Sequence, residues 1–270
     1  MVPKKELILI ASPRTGTNYL CDTLGAFDEI LNLFEIFNYN GVFGTERFPE
    51  IFTYFNKVLK IDNSDVMERH FVNYVMNNRI RFIEQLNYFA ERIGKTVISY
   101  KILPEQLASK ELDEIINDYS KAFLIIGRSR IDTFISYKKA LHTNEWVHKN
   151  TKEVMIEVSF DEFMQWSINM DKWYQDILDK LILAKQQFCL MSYETDINVP
   201  KGLLIEKLYL IMRGLGFDLS FPQKYPPPMY NRQDAEVGPF KKILNGKELK
   251  QKFIDKNLLQ RYALRSPLIK

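Results

Sequence analysis

The sequence predicts an α/β protein: a central parallel sheet flanked by helices. Three observations predict it. Short apolar runs alternate with longer amphipathic stretches, the first run leads into the outline of a phosphate loop, and neither repeat nor Gly/Ser linker divides the chain. At 270 residues, 46% of them hydrophobic, the chain can bury a sizeable core, and a single domain over 1–270 is expected.

The runs Leu7–Ile10, Thr96–Tyr100, Ala122–Ile126 and Phe188–Ser192 are compact and bounded by polar or turn residues, as buried parallel strands are. Helical patterns cover about Thr17–Phe27, Ser64–Ile93, Pro104–Tyr119, Arg130–Leu141, Ser159–Lys185, Lys201–Leu215 and Gly246–Leu264. Residues Phe217–Phe240, with three prolines at 226–228, read as a long loop. Ligands of open α/β sheets sit at the carboxyl ends of the strands, where the motifs fall.

Composition narrows the function. A net charge of +3 does not argue for a nucleic-acid partner, yet it suits local basic pockets for an anion. Cys21 and Cys189 lie in apolar stretches and read as buried thiols of a reducing compartment. No signal peptide or membrane-spanning run is evident, which predicts a cytoplasmic protein with no transmembrane segment. No Cys/His cluster or calcium-loop spacing occurs, so no metal is expected. Oligomeric state is not legible.

The first motif is Ser12-Pro13-Arg14-Thr15-Gly16-Thr17-Asn18, between a strand and a helix. Backbone N–H groups at such a turn point at an anion, helped by the helix dipole. Gly16 permits close approach, and Thr15 and Thr17 offer hydroxyls. The lysine that follows the glycine of a triphosphate loop is missing; Arg14 precedes the glycine instead. An ordinary capped βα turn would look similar. The second motif starts at Arg128, at the end of a strand, where Ser129 and Asp132 fit a capping box and Ser136 follows within the helix. This pair offers a guanidinium and a hydroxyl to a second phosphate.

Together the two motifs resemble the sulfotransferase superfamily, which uses 3′-phosphoadenosine 5′-phosphosulfate (PAPS). The resemblance implies a P-loop-NTPase-like fold. It assigns Arg14, Thr15, Gly16, Thr17 and Asn18 to the 5′-phosphosulfate, and Arg128 and Ser136 to the 3′-phosphate. "FCLMSYETD" is similar to a late family strand whose tyrosine, here Tyr193, lies near the adenine. "ISYKKALHTNEW" and "FEIFN" resemble segments of bacterial carbohydrate sulfotransferases, which implies a carbohydrate or glycolipid hydroxyl as acceptor. The family's C-terminal R-K-G cluster is absent; Arg232 and Gln233 stand in its place as candidate nucleotide contacts.

For the catalytic base the resemblance points to Glu35, whose apolar neighbours Phe34, Ile36 and Phe37 suggest a raised pKa. His142 is the second candidate, and Arg14 supplies charge to the leaving phosphate. Lys101 reads either as a cleft residue or as half of a structural ion pair, and Trp146, Tyr137 and Tyr39 as a sugar-stacking wall or core. Two rival functions are a P-loop kinase of nucleotides or small molecules and a non-catalytic nucleotide-binding module.

Overall fold

A computed structural model describes residues 4–60, 65–146, 151–225, 227, 229–230 and 238–269. The first strand, β1 (Glu6–Ala11), is buried at every position, as a strand covered on both faces must be. It lies at the middle of a five-stranded sheet of order β2-β3-β1-β4-β5, with β2 at Ile30–Asn32, β3 at Val97–Ile102, β4 at Lys121–Gly127 and β5 at Phe188–Ser192. Every neighbouring pair is parallel. In this register Ile10 stands beside Ile102, Ala11 beside Ile126, and Gly127 beside Ser192. The segments after β1, β3, β4 and β5 therefore leave the sheet along one edge. The chain order reverses about β1, which makes that edge a topological switch point.

Alternation along the strands sorts the two faces. Ile8, Ile10, Tyr100, Phe123 and Ile125 join one core with Phe71 of α3 (Arg69–Asn77), Phe82 of α4 (Arg79–Arg92), Ile115 of α5 (Ser109–Ile116) and Tyr174 of α7 (Phe160–Leu183). Ile51 and Phe55 of α2 (Glu50–Leu59) complete it. Leu7, Leu9, Ala11, Leu124 and Ile126 face Leu20 and Leu24 of α1 (Thr17–Leu24) and Leu204 and Leu208 of α8 (Lys201–Gly214). Each such side chain contributes about 1.5–3 kcal/mol by leaving water. A third cluster joins Phe134 of α6 (Arg130–Thr143), Phe163 of α7 and Phe253 of α9 (Gly246–Asp255).

The predicted α/β class holds, with local differences. The stretch expected to be helical over 64–93 is broken at Asn78, whose φ of −137° is not helical and whose amide bonds back to the Tyr74 carbonyl at 2.9 Å. The last helix stops short of 264 because Asn257 adopts a φ of 55°. Strand β2 was not anticipated; three residues give too short a run to show a period. Helix α2 was not anticipated either.

One side chain fastens the working edge of the sheet. The Tyr174 hydroxyl accepts the Ser12 backbone N–H at 2.7 Å and donates to the Ile126 carbonyl at 2.7 Å. Burial pushes its pKa up to about 12, so it stays a neutral donor. It thereby links the ends of β1 and β4 just before their functional loops begin. Tyr174→Phe should leave both backbone groups unpaired and cost about 1–3 kcal/mol. At roughly 2–4 °C per kcal/mol for a chain near this size, calorimetry should record a visibly lower Tm; an unchanged Tm would show that the two groups find other partners.

Candidate active site

The loop after β1 is built on two left-handed residues. Gly16 has φ 85°, and a Cβ placed there would lie 2.6 Å from Cδ2 of Tyr193. Only a glycine admits both the backbone angle and the ring. Arg14 also has a positive φ, 72°, which for a residue with a side chain costs on the order of 1–3 kcal/mol. Strain of that size persists where neighbours hold it, and here the Arg128 Nη1 donates to the Arg14 carbonyl at 2.9 Å. Helix α1 starts at Thr17 without a side-chain cap, so its first N–H groups remain available to an anion in the cavity.

That cavity, about 1140 Å³, lies at the carboxyl edge of the sheet. Pro13, Arg14, Gly16, Thr17 and Asn18 line it from the first loop, and Arg128, Asp132, Ser136 and Lys139 from the end of β4 and α6. Arg14 Nε donates to Ser136 Oγ at 3.0 Å, and its Nη1 bonds the Trp146 carbonyl. The two sequence motifs, 122 positions apart at that contact, are therefore in direct touch. Burial, followed by the positive charge of Arg128, pushes the Arg14 pKa down to about 10. Arg128 lies over the Tyr193 ring, 4.4 Å from its centroid, and among the described residues its buried Nε has no hydrogen-bond partner. The two guanidinium groups thus place like charge in one cavity, a feature that suits an anion.

Thr15 behaves differently from expectation. Its hydroxyl turns inward to the Ser12 carbonyl at 2.9 Å, and the residue is buried away from the cavity lining. It shapes the loop instead of offering its hydroxyl to a ligand. Glu194, next to Tyr193, accepts the Ser129 N–H at 2.8 Å and the Ser192 hydroxyl at 2.7 Å, joining the ends of β4 and β5. Ser129 also caps α6 by accepting from the Asp132 N–H, as its sequence pattern indicates.

On the opposite wall, Glu35 follows β2. Its Oε1 pairs with Lys101 Nζ at 2.8 Å, its Oε2 accepts from Asn38 Nδ2 at 2.8 Å, and Lys101 also bonds Oδ1 of Asn18. Lys101 is thus both a cleft residue and an ion-pair partner, and it connects the carboxylate to the first turn of α1. The raised pKa expected for Glu35 is not found. Burial does push it up, but the Lys101 charge and the hydrogen bonds from Lys101 and Asn38 outweigh burial and leave it below the ordinary carboxylate value.

His142 is exposed on the last turn of α6 and does not line the cavity, because the cavity face of that helix runs through Asp132, Ile135, Ser136 and Lys139. Of the proposed aromatic wall only Trp146 borders the cavity; Tyr137 packs beside it, ring centroids 6.0 Å apart and planes tilted by 58°, and Tyr39 is outside the lining. Phe34 and Tyr230, rings 5.7 Å apart, form another aromatic border. Arg232 and Gln233 lie outside the described residues. Sequence reasoning passed over Lys139 and Lys242, both buried and both on the lining. Their only signal was position: Lys139 one helical turn after Ser136, and Lys242 just beyond the proline-containing loop.

In this α/β fold the first strand-to-helix turn meets a second, arginine-bearing turn across one cavity at the carboxyl edge of the sheet. The sequence matches the family model of the sulfotransferase domain over residues 4–202. The chain belongs to this family and is a sulfotransferase, which sets aside the kinase and binding-module alternatives. Among solved structures it is similar to a sulfotransferase from Alicyclobacillus acidocaldarius, with 12% identity over 98% of this chain and 97% of that one and a TM-score of 0.45. A search of curated protein sequences finds no match. Among the described residues no helix is long and apolar enough to cross a membrane.

The depressed Arg14 pKa carries a sign that can be checked. The folded state disfavours the Arg14 cation, so between about pH 10 and the unfolded value the unfolded chain binds more protons and stability rises with pH. Below that window the buried charge is a cost that a bound anion relieves. Arg14→Gln should therefore leave the ligand-free protein at least as stable as wild type while abolishing the Tm increase produced by sulfate or pyrophosphate. A lower Tm without anion would show that the bonds to Ser136 and Trp146 outweigh the charge repulsion.

Proposed function

We propose that this sulfotransferase takes its sulfuryl group from 3′-phosphoadenosine 5′-phosphosulfate and delivers it to a hydroxyl of a carbohydrate or glycolipid, as one domain acting in the cytoplasm. The observation that carries the reading is the meeting of Arg14, Arg128 and Ser136 with the uncapped N-terminus of α1 in one cavity. The cavity's volume, about 1140 Å³, exceeds the roughly 300–1,000 Å³ usual for a single small ligand. A nucleotide and an acceptor can therefore share it.

In this reading the α1 N-terminus, Gly16, Thr17 and Arg14 hold the phosphosulfate, and Arg128 and Ser136 hold the 3′-phosphate. Tyr193 borders the nucleotide. The acceptor oxygen forms a bond to sulfur, its proton passes to a Glu35 carboxylate oxygen, and the bond from sulfur to the phosphate oxygen breaks. The electron pair stays on that phosphate, so adenosine 3′,5′-bisphosphate leaves. Arg14, Lys101 and the α1 dipole face the growing negative charge. Lys101 has two duties, because it bonds both Glu35 and Asn18. As charge grows at the phosphate, the ammonium is drawn toward it, and Glu35 becomes the stronger base.

Calorimetry with adenosine 3′,5′-bisphosphate and AMP tests the donor. Wild type should bind the bisphosphate far more tightly, and Arg128→Ala should lose that preference with AMP nearly unaffected. Equal affinities in the wild type would sink the donor assignment.

Glu35→Gln tests the base. Donor affinity should survive while kcat falls about 10²–10⁴-fold. Since Glu35 is held below the ordinary carboxylate value, the acid limb of the wild-type kcat/KM profile should lie below about pH 4.3, not near the roughly 6.5 of a histidine. An inflection near neutrality, lost in a His142 variant, would move the role to His142.

A further inference from the structure

Asp22 is 4% exposed and stands in the last turn of α1, where the helix dipole disfavours negative charge. A buried carboxylate in that position persists only when it is paired. Its partners come from three distant segments. Arg47 Nη2, from the turn Thr45–Arg47, lies 3.1 Å from Oδ1, and Lys201 Nζ, from the first residue of α8, lies 3.1 Å from Oδ2. The Met229 backbone N–H also donates to Oδ2, at 3.2 Å and across 207 positions of sequence. One carboxylate thus ties the first helix to the end of the proline-containing segment.

Arg47 carries the tie onward to the cavity. Its guanidinium lies over the Phe34 ring, 4.8 Å from the centroid, and its Nη2 reaches Met229 Sδ at 3.8 Å. Phe34 in turn meets the Tyr230 ring at 5.7 Å and directly precedes Glu35. Phe34, Glu35 and Tyr230 all line the cavity, together with Asn38, Asn40 and Glu46. An aromatic face beside amide and carboxylate groups matches a pyranose ring, whose C–H groups pack on the aromatic face while its hydroxyls reach the polar groups.

We propose that Tyr230 is a specificity-determining residue for the acceptor, stacking on a pyranose ring, and that Asp22 is the positioning residue that holds it there, through Met229 on one side and through Arg47 and Phe34 on the other. The inference rests on the acceptor reading given above and deepens it: the acceptor is a pyranoside, free or carrying a lipid chain. Asp22 acts on the acceptor half of the cavity and not on the donor half, because it stands at the opposite end of α1 from Gly16 and Thr17.

The test is steady-state transfer from PAPS to methyl β-D-glucopyranoside and to octyl β-D-glucopyranoside, beside calorimetry with adenosine 3′,5′-bisphosphate. The proteins are wild type, Tyr230→Ala, Tyr230→Phe, Asp22→Asn and the double variant of Asp22→Asn with Tyr230→Ala. Tyr230→Ala should raise KM for the glycoside about 2–10-fold, the worth of one aromatic contact, with kcat and bisphosphate affinity close to wild type. Tyr230→Phe should keep the wild-type KM. Asp22→Asn should raise KM likewise, and the double variant should match Tyr230→Ala alone, because both changes remove the same contact. An unchanged KM in Tyr230→Ala overturns the specificity assignment. Effects that multiply in the double variant, or a loss of bisphosphate affinity in Asp22→Asn, overturn the positioning role and leave Asp22 a structural residue. Should Asp22→Asn not fold, Arg47→Gln, changed at the less buried end of the pair, takes its place in the cycle. Transfer to either glycoside with these KM shifts supports the proposal, and a lower KM for the octyl compound assigns the lipid-bearing class. A wild type that transfers to neither overturns the acceptor reading and the proposal with it, an outcome distinct from a failure confined to the variants.

Discussion

The hydrogen bond from the Arg128 guanidinium to the Arg14 carbonyl is the contact on which the site depends. It supports the positive φ of Arg14 and so fixes the path of the loop into Gly16 and the first turn of α1. It also brings a second cation to the edge of the same cavity. The like charges destabilise each other, as the low Arg14 pKa records. That opposition is affordable because the scaffold beneath is rigid: Tyr174 joins β1 to β4, and Glu194 joins β4 to β5. The strain and the repulsion are located where the proposed donor's phosphates would bind, and there they would lower the cost of binding an anion.

Across the cavity the electrostatics run the other way. Glu35 and Lys101 neutralise each other, and each makes one further hydrogen bond, Glu35 with Asn38 and Lys101 with Asn18. A carboxylate in that arrangement is ionised and ready for a proton but only weakly basic. In the proposed mechanism its reactivity is tied to the donor half of the cavity through one ammonium group. Apolar neighbours in sequence suggested the opposite shift, because sequence adjacency does not reveal a lysine arriving from β3.

Much of the fold was legible because buried parallel strands are short, apolar and bounded. Leu7–Ile10 and Phe188–Ser192 were placed within a residue or two of β1 and β5. What stayed hidden was short or nonlocal. Strand β2 has three residues, and the break at Asn78 depends on a single backbone angle. In the site, Arg14, Gly16, Arg128 and Ser136 could be read because a motif holds them in fixed spacing. The inward turn of the Thr15 hydroxyl, the exposure of His142 and the approach of Lys242 are set by packing between distant segments, so no local pattern announces them.

The central place of β1 also has a consequence for synthesis. Its partners are β3 and β4, so Glu6 finds Ile98 and Lys121 only after some 92 and 115 further residues have been made. At about 5–20 residues per second, the wait for β4 is roughly 6 to 23 s. Throughout that time an entirely apolar strand, Leu7 to Ala11, has neither of its neighbours. The same position that buries β1 between two neighbours in the finished enzyme leaves it waiting for both of them while the ribosome is still at work.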